Sequence, residues 1–401
     1  MRNVQLFICA LFATFTIFFL ARQVPHVETG EKTPLVVTES ASEDGGNSSV
    51  PKARIAKVSM AFGDDQMYAR ALENHRRHAE RWGYPMYALR RDALGGFRNK
   101  PAWMLSLVVQ ELAKPPEDRV DWIFWADGDS LIINPSIPLE IFLPPPDLDD
   151  IHMISTKDHN GFNSGIMFLR VHPWTVAFLT ETSAYPLCRP EEDLGAYYDQ
   201  EAMSRLLRRT DGPPTGQGYA DQAVYMPRLW INPYETIHGF EGEKGDILVH
   251  FPGLFQYREE RMEKWFSELE RHQEDWEVPL EETKYQDRTT TFWNSIREAR
   301  NAFKAALEAV AQEPEGTPID ARREALINLR NAVRFEAHHP EELHKAMDAL
   351  NAAIAKDAQD AQSQNRQTQN QQGQGPQGQN QQNQDQQSPD QQGEGPQSQT
   401  E

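Results

Sequence analysis

Cysteine is nearly absent. The chain of 401 residues holds two, and one of them, Cys9, lies in an apolar N-terminal run. Cys188 is alone in the remainder, so no disulfide framework can staple the body, and its stability must come from core packing. No His–Asp set accompanies Cys188 in YPLCRP, which therefore reads as a partly buried thiol rather than a nucleophile. Positive charge is short as well: 40 Lys and Arg face 60 Asp and Glu, for a formal net charge of −20. That balance argues against nucleic acid as a partner, because a phosphate backbone needs clustered Lys and Arg. It leaves anionic small ligands open, since a metal ion can supply positive charge locally. Apolar residues make up only 39%, a share that suggests a normal core diluted by polar, unstructured segments.

One long uncharged run is present, Asn3 to Leu20, between Arg2 and Arg22. Its length is at the lower edge of the roughly 17–25 residues that cross a bilayer. Bulky Phe18, Phe19 and Leu20 precede Ala21 and make a poor cleavage pattern. Residues 1–22 are therefore expected to be an uncleaved signal-anchor, a single-pass helix that places the rest of the chain in the lumen. A short, Phe-rich span suits a thin early-secretory or Golgi membrane. Residues 23–52 are acidic and rich in Gly and Ser, as a spacer stem would be. Asn47-Ser48-Ser49 within it is a glycosylation acceptor if the stem is lumenal.

From 53 to 288 the chain alternates strand-like and helix-like segments. ARIAKVSMAFG, PMYALRRD, DWIFWAD, DIHMISTKD, GIMFLRV and GDILVHFPG read as strands. DQMYARALENHRRHAERWGY, KPAWMLSLVVQELAK, HPWTVAFLTETSAY and YYDQEAMSRLLRR read as helices. In the first helix Met67, Ala71, Leu72, His75, Ala79 and Trp82 recur at helical spacing, with Gly83 as the stop. This rhythm predicts an α/β fold with an open, mostly parallel sheet flanked by helices, whose ligands sit beyond the carboxyl ends of the strands. Residues 289–360, Ala- and Leu-rich with interspersed charge, predict a helical appendage of two or three helices. From 361 to 401 the Gln/Asn/Gly/Pro tract has no apolar face and is expected to be a disordered tail.

The chemistry concentrates in a few places. In VDWIFWADGDSLIINPS a wholly apolar strand ends in Asp127 and Asp129, one residue apart. Two such carboxylates repel unless a cation lies between them, and hard oxygen donors suit Mn2+ or Mg2+. Gly128 lets the backbone approach a ligand closely. His250 ends the apolar strand of GDILVHFPG, and imidazole is a suitable third ligand for Mn2+. Asn160, Asn163 and Ser164 lie in a Gly-punctuated loop before a strand, where amides can bind hydroxyl-rich ligands or simply make a turn. Asp199 and Gln200 open a helix, where capping is the plain alternative.

Taken in order, NHRRHAERWGYPMY, NKPAWMLSL, DWIFWADGDSLIIN, GFNSGIMFLR, DQEAM and LVHFPG resemble a family of Golgi glycosyltransferases, glycosyltransferase family 34. Its members include fungal α-1,2-galactosyltransferases, the α-1,6-mannosyltransferase subunits of mannan polymerase and plant xyloglucan xylosyltransferases. The resemblance spans roughly residues 53–255. It implies the GT-A fold, a single α/β domain that binds a nucleotide-sugar, and transfer with retention of anomeric configuration. It further implies Asp127, Asp129 and His250 as metal ligands, with Lys100 and Asp127 at the sugar-nucleotide. Asp199 and Gln200 would lie beside the transferred sugar, and Asn163 and Ser164 near donor or acceptor. The chain departs in reading HFPG where the family often has HFAG. A second Asp-Gln pair, Asp221-Gln222, competes for the alignment at Asp199.

The implied partners are a UDP-galactose or GDP-mannose donor, a mannose-containing glycan acceptor and, in a complex, other glycosyltransferase subunits. The implied place is the Golgi membrane, single-pass type II. Gln200 is a poor covalent nucleophile, which favours attack from the departing phosphate's own face; Asp199 is the nearby candidate for a covalent route. Two other classes compete: a non-catalytic scaffold subunit of a mannan-polymerase-like complex, and a glycan-binding module.

Overall fold

The computed structural model describes residues 54–210, 218–313 and 319–372. The expected anchor, the stem with Asn47 and the chain beyond 372 lie outside the described residues. Among the described residues no helix is long and apolar enough to cross a membrane.

Six strands form the central sheet in the order β2-β1-β3-β6-β5-β7. They are β1 Ile55–Met60, β2 Met86–Leu89, β3 Trp122–Ala126, β5 Met153–Asp158, β6 Gly161–Arg170 and β7 Ala223–Tyr225. Between and after them, β4 Ser130–Ile132 pairs antiparallel with β10 Leu248–His250, and β8 Glu235–Thr236 with β9 Gly239–Phe240 makes a small hairpin. β1 is parallel to β2 and β3, β5 is parallel to β7, and β6 alone runs against its neighbours. The expected α/β sheet, mostly parallel and flanked by helices, is the one observed.

The uniform direction has a functional result. The carboxyl ends of β1, β3, β5 and β7 lie along one rim, where β6 begins. β3 is buried at every residue because both faces are covered. Trp125 joins Trp103, Met104, Met167 and Phe178 in the main core. On the opposite face Phe124 packs on Phe168 and Phe168 on Phe142, with centroids 4.8 and 6.2 Å apart.

The helices are α1 Gln66–Trp82, α2 Asn99–Leu112, α3 Pro173–Cys188, α4 Tyr198–Arg208, the short α5 Arg228–Ile231, α6 Arg258–Trp276, α7 Tyr285–Ala311, α8 Asp320–Phe335 and α9 Pro340–Gln372. α1 matches its sequence pattern. Asp65 caps it by accepting from Met67 N, Gly83 ends it at φ 73°, and Ala71, Leu72, His75, His78 and Ala79 face inward. α2 departs from the amphipathic expectation: Asn99 to Val108 is buried throughout, because the helix is wedged between the sheet and α3. α3 starts where His172 accepts from Trp174 N. Its last residue, Cys188, is half-buried and not a free thiol, which corrects the plain thiol expected there.

Asn163 and Ser164 are not in a loop. Strand β6 already begins at Gly161, after a turn at His159-Asn160, and pairs with β5 across a bulge between Ile154 and Thr156. Gly161, at φ 100°, supplies the left-handed backbone this turn needs. The Asn-Ser-Gly composition reads as a turn, but pairing on both sides holds it extended.

The boundary expected at 288/289 falls inside α7. Helix α8 covers the outer strand β7, with Asp221 as its fastener. Arg330 and Arg334 of α8 hold the two oxygens of Asp221 at 2.6 and 2.5 Å, and Arg300 of α7 donates to its backbone carbonyl. The compact unit ends at Leu350. The second unit consists, among the described residues, of the end of α9, which runs on to Gln372 into the segment expected to be disordered from 361. Gln is a good helix former, and the first Gly of that segment is Gly373.

Burial pushes the Asp221 carboxyl up, but Arg334 and Arg330 outweigh it and hold it at about 2 against an ordinary 3.8. A depressed native value means that the stabilisation is present above the ordinary carboxylate range and is lost as pH falls from about 4 through about 2. Asp221→Asn should therefore cost about 1–2 kcal/mol at pH 7 in urea unfolding. The difference from wild type should close over that acid window.

Candidate functional site

The carboxyl rim of the sheet opens into a cleft of about 970 Å³. Met60 at the end of β1 and Ala61 after it, Asp127 after β3, Asp158 at the end of β5 and Asn163 and Ser164 near the start of β6 all line it. Each arrives there because its strand stops or starts at the same edge.

Asp127-Gly128-Asp129 is the turn between β3 and β4. Its backbone is tied down on two sides: Asp127 N donates to Gly165 O and Phe251 N donates to Asp129 O, both bonds near 2.9 Å. Ser130 Oγ donates to Asp127 O at 2.6 Å and closes the turn. A Cβ on Gly128 would sit 3.0 Å from Met60 O, so the close approach this glycine serves in the fold is to β1. The β4–β10 pairing sets His250 opposite Ser130, which brings its ring beside Asp129. Asp127, Asp129 and His250 consequently offer ligand atoms that all lie within 4.8 Å of one another.

The cations expected beside the two aspartates are partly the protein's own. Lys100 Nζ, almost wholly buried, donates to Asp127 Oδ1 at 2.9 Å and to Ser164 Oγ at 3.0 Å. It also stands 3.7 Å from Asp199 Oδ2. Trp125 Nε1 donates to the same Asp127 oxygen at 2.7 Å. Asp129 has His250 Nε2 at 3.4 Å on one oxygen and Arg258 Nε at 3.2 Å on the other. Burial pushes the Asp129 carboxyl up, but His250 and Arg258 outweigh it and hold it below the usual carboxylate range. The protein's own cations thus make the acidic turn tolerable.

The arrangement nevertheless fits a divalent ion. Asn232, buried completely, donates from Nδ2 to Thr156 Oγ1 and to Asn163 Oδ1, each at 3.0 Å. Asn163 Oδ1 also accepts from Gly165 N. Asn232 Oδ1 is left to accept from His250 Nδ1 at 2.8 Å, so Nε2, facing Asp129, is the ring nitrogen that can take a proton or a metal ion. Two electron-rich atoms at that distance need a cation between them, a proton or a metal ion. Two carboxylates and a neutral imidazole, with the imidazole's second nitrogen hydrogen-bonded to an outer partner, are a donor set suited to Mn2+ or Mg2+.

Asp199 and Gln200 lie in the first turn of α4. Asp199 is buried; burial raises its carboxyl, Lys100 pulls it down and Asp127 raises it again, leaving it above the usual value. Gln200 Oε1 accepts from Ser164 N at 3.0 Å. The second Asp-Gln pair lies elsewhere: Asp221 faces α8, and Gln222 accepts from Trp174 Nε1. The cleft therefore takes the first pair. Asn163 Nδ2 donates to Asp158 Oδ2, which also accepts from Tyr234 Oη. Asn160 lines the cleft mouth beside Asp158.

Sequence reading missed Asn232, Arg258, Tyr234 and Gly165. A Cβ on Gly165 would come within 2.3 Å of His250 Cε1, so only glycine lets this ring lie flat on β6. Gly165→Ala and Asn232→Ala should each weaken Mn2+ binding about 10–100-fold by calorimetry, the usual cost of disturbing an outer-shell partner. Circular dichroism should show the chain still folded.

Residues 145–260 match the model of the galactosyl transferase GMA12/MNN10 family. The match takes in Asn163, Asp199, Asn232, His250 and Arg258. Among curated proteins of Schizosaccharomyces pombe, one named an uncharacterized alpha-1,2-galactosyltransferase is 27% identical over 256 residues, 52% of this chain and 63% of that protein. Another, named alpha-1,2-galactosyltransferase, is 27% identical over 223 residues, covering 47% and 56%. The chain thus spans roughly three fifths of the length of these relatives. A solved glycosyltransferase involved in glycosylation of the major capsid of PBCV-1 aligns at 18% identity, covering 53% of this chain and 99% of its own, with a TM-score of 0.40. The glycosyltransferase GlyE of Streptococcus pneumoniae TIGR4 aligns at 12%, covering 54% and 64%, with a TM-score of 0.30.

Proposed function

We propose that the chain, whose residues 145–260 match the model of the galactosyl transferase GMA12/MNN10 family, is a retaining, metal-dependent hexosyltransferase. It moves galactose or mannose from a nucleotide-sugar to a mannose-containing glycan in the secretory pathway, of α-1,2-galactosyl- or α-1,6-mannosyltransferase type. The observation that carries the reading is the convergence of Asp127, Asp129 and His250 in a cleft that is also lined by Lys100, Ser164, Asp199 and Gln200. A scaffold subunit has no need of a buried lysine bridging two carboxylates, and a sugar-binding module has no need of a metal cradle. The N-terminal run supports a type II anchor in the Golgi membrane.

A divalent ion held by Asp127, Asp129 and His250 would act as Lewis acid on the leaving diphosphate. The residues of the chain do the rest. Lys100 fixes Asp127 and Ser164 in one geometry, so the donor meets groups that need no reorganisation. The bond from the anomeric carbon to the diphosphate breaks, and one to the acceptor oxygen forms on the same face. The acceptor's proton passes to the departing phosphate oxygen. Gln200 and Asp199 lie where positive character builds on the sugar ring, and a dipole or a carboxylate there lowers the barrier. Gln200, an amide, is a poor covalent nucleophile, which favours the route without a glycosyl-enzyme.

A donor panel of UDP-galactose and GDP-mannose, with Mn2+ and an α-mannoside acceptor, tests the proposal. Transfer should occur with one donor, and Asp129→Ala or His250→Ala should reduce it at least 1,000-fold in a folded protein. Activity retained in both variants would sink the metal assignment. Glycan binding with no turnover of any nucleotide-sugar would point to the scaffold or the binding module.

A further inference from the structure

Arg258, at the first position of α6, belongs to no motif that marked the site. Its guanidinium lines the cleft. Nε stands 3.2 Å from Asp129 Oδ2 and donates to Phe251 O at 3.2 Å, while Nη1 donates to Tyr68 Oη at 3.2 Å. Both partners besides Asp129 are neutral, so they orient the guanidinium without consuming its charge. Across the cradle Lys100 holds the other aspartate. The two motif carboxylates are thus each paired with a cation, on opposite sides, and the sugar-side groups Ser164, Asp199 and Gln200 all cluster round Lys100.

We propose that Arg258 is the diphosphate clamp of this site, and that it exchanges partners when the donor arrives. Without ligand it neutralises Asp129. When a divalent ion takes Asp129, the ion carries that neutralisation, and the guanidinium is released to a phosphate oxygen, for which its planar fork is well matched. This fixes the direction of the bound donor: phosphates and nucleoside toward Arg258, Tyr68, Met60 and Ala61, transferred sugar toward Lys100 and α4. Gly128 lies against the phosphate side, since a Cβ there would meet Met60 O, Tyr68 and Ala61 together. The inference rests on the nucleotide-sugar reading above and adds to it a phosphate-binding residue and an orientation.

Exchange of partners makes an unusual pair of expectations for Arg258→Ala, measured by calorimetry on the purified full-length protein. Binding of Mn2+ alone should stay equal or tighten, because a competitor for Asp129 is gone. Binding of UDP or GDP in the presence of Mn2+ should weaken about 10–100-fold, the cost of one charged hydrogen-bonded contact. Uridine or guanosine should bind within about 2-fold of wild type, and Arg258→Lys should recover part of the diphosphate loss. Diphosphate affinity unchanged in Arg258→Ala overturns the clamp. So does a parallel loss of Mn2+ and diphosphate binding, which would make Arg258 a brace for the turn. A wild-type protein that binds Mn2+ but neither diphosphate would instead overturn the nucleotide-sugar reading itself.

Discussion

The short antiparallel pairing of β4 with β10 holds the site together. It joins the turn after β3 to a strand from far along the chain, and its register, His250 against Ser130, decides which atom faces Asp129. A slip of one residue would turn His250 to the other face and present Val249 or Phe251 instead. The register is held from below by the second apolar cluster, where Leu131, Val249 and Phe251 pack with Met262 and Phe266 of α6. The same helix carries Arg258 at its start. Packing under the turn and chemistry above it are therefore set by the same three elements.

Around that pairing the polar groups form one connected set. Asn232 joins β5, β6 and β10 through Thr156, Asn163 and His250. Lys100 joins α2 to the turn and to β6. Ser164 passes the connection to Gln200 and so to α4. Such a buried network is favourable because its members are paired, and it penalises any rearrangement that would leave one of them unpaired. It gives the cleft floor the rigidity that a preorganised site requires.

The parts of this arrangement that could be read from the sequence are those with a local signature. An apolar strand ending in two aspartates is visible because burial on both faces removes every polar residue before the rim. Helix α1 is visible through its cap, stripe and glycine stop. Asn232 and Arg258 have no such signature. WINPY looks like any polar turn, and REER like the charged start of a surface helix; their roles exist only once β5, β6 and β10 are side by side. The Asn-Ser-Gly of β6 misled for a related reason, since turn composition is a local preference and strand pairing overrode it. The two Asp-Gln pairs are indistinguishable in sequence and are separated by what stands opposite each: Lys100 and Ser164 for one, two arginines of α8 for the other.

That last contrast bears on the solution behaviour of the body as well as its chemistry. Strand β7 is one of the two edge strands of the six, and an uncovered edge strand offers free amides and carbonyls to any neighbouring chain. Helix α8, fastened through Asp221, occupies that side. The segment after residue 288 thus guards one margin of the sheet, and removing it would bare the unpaired amides and carbonyls of β7.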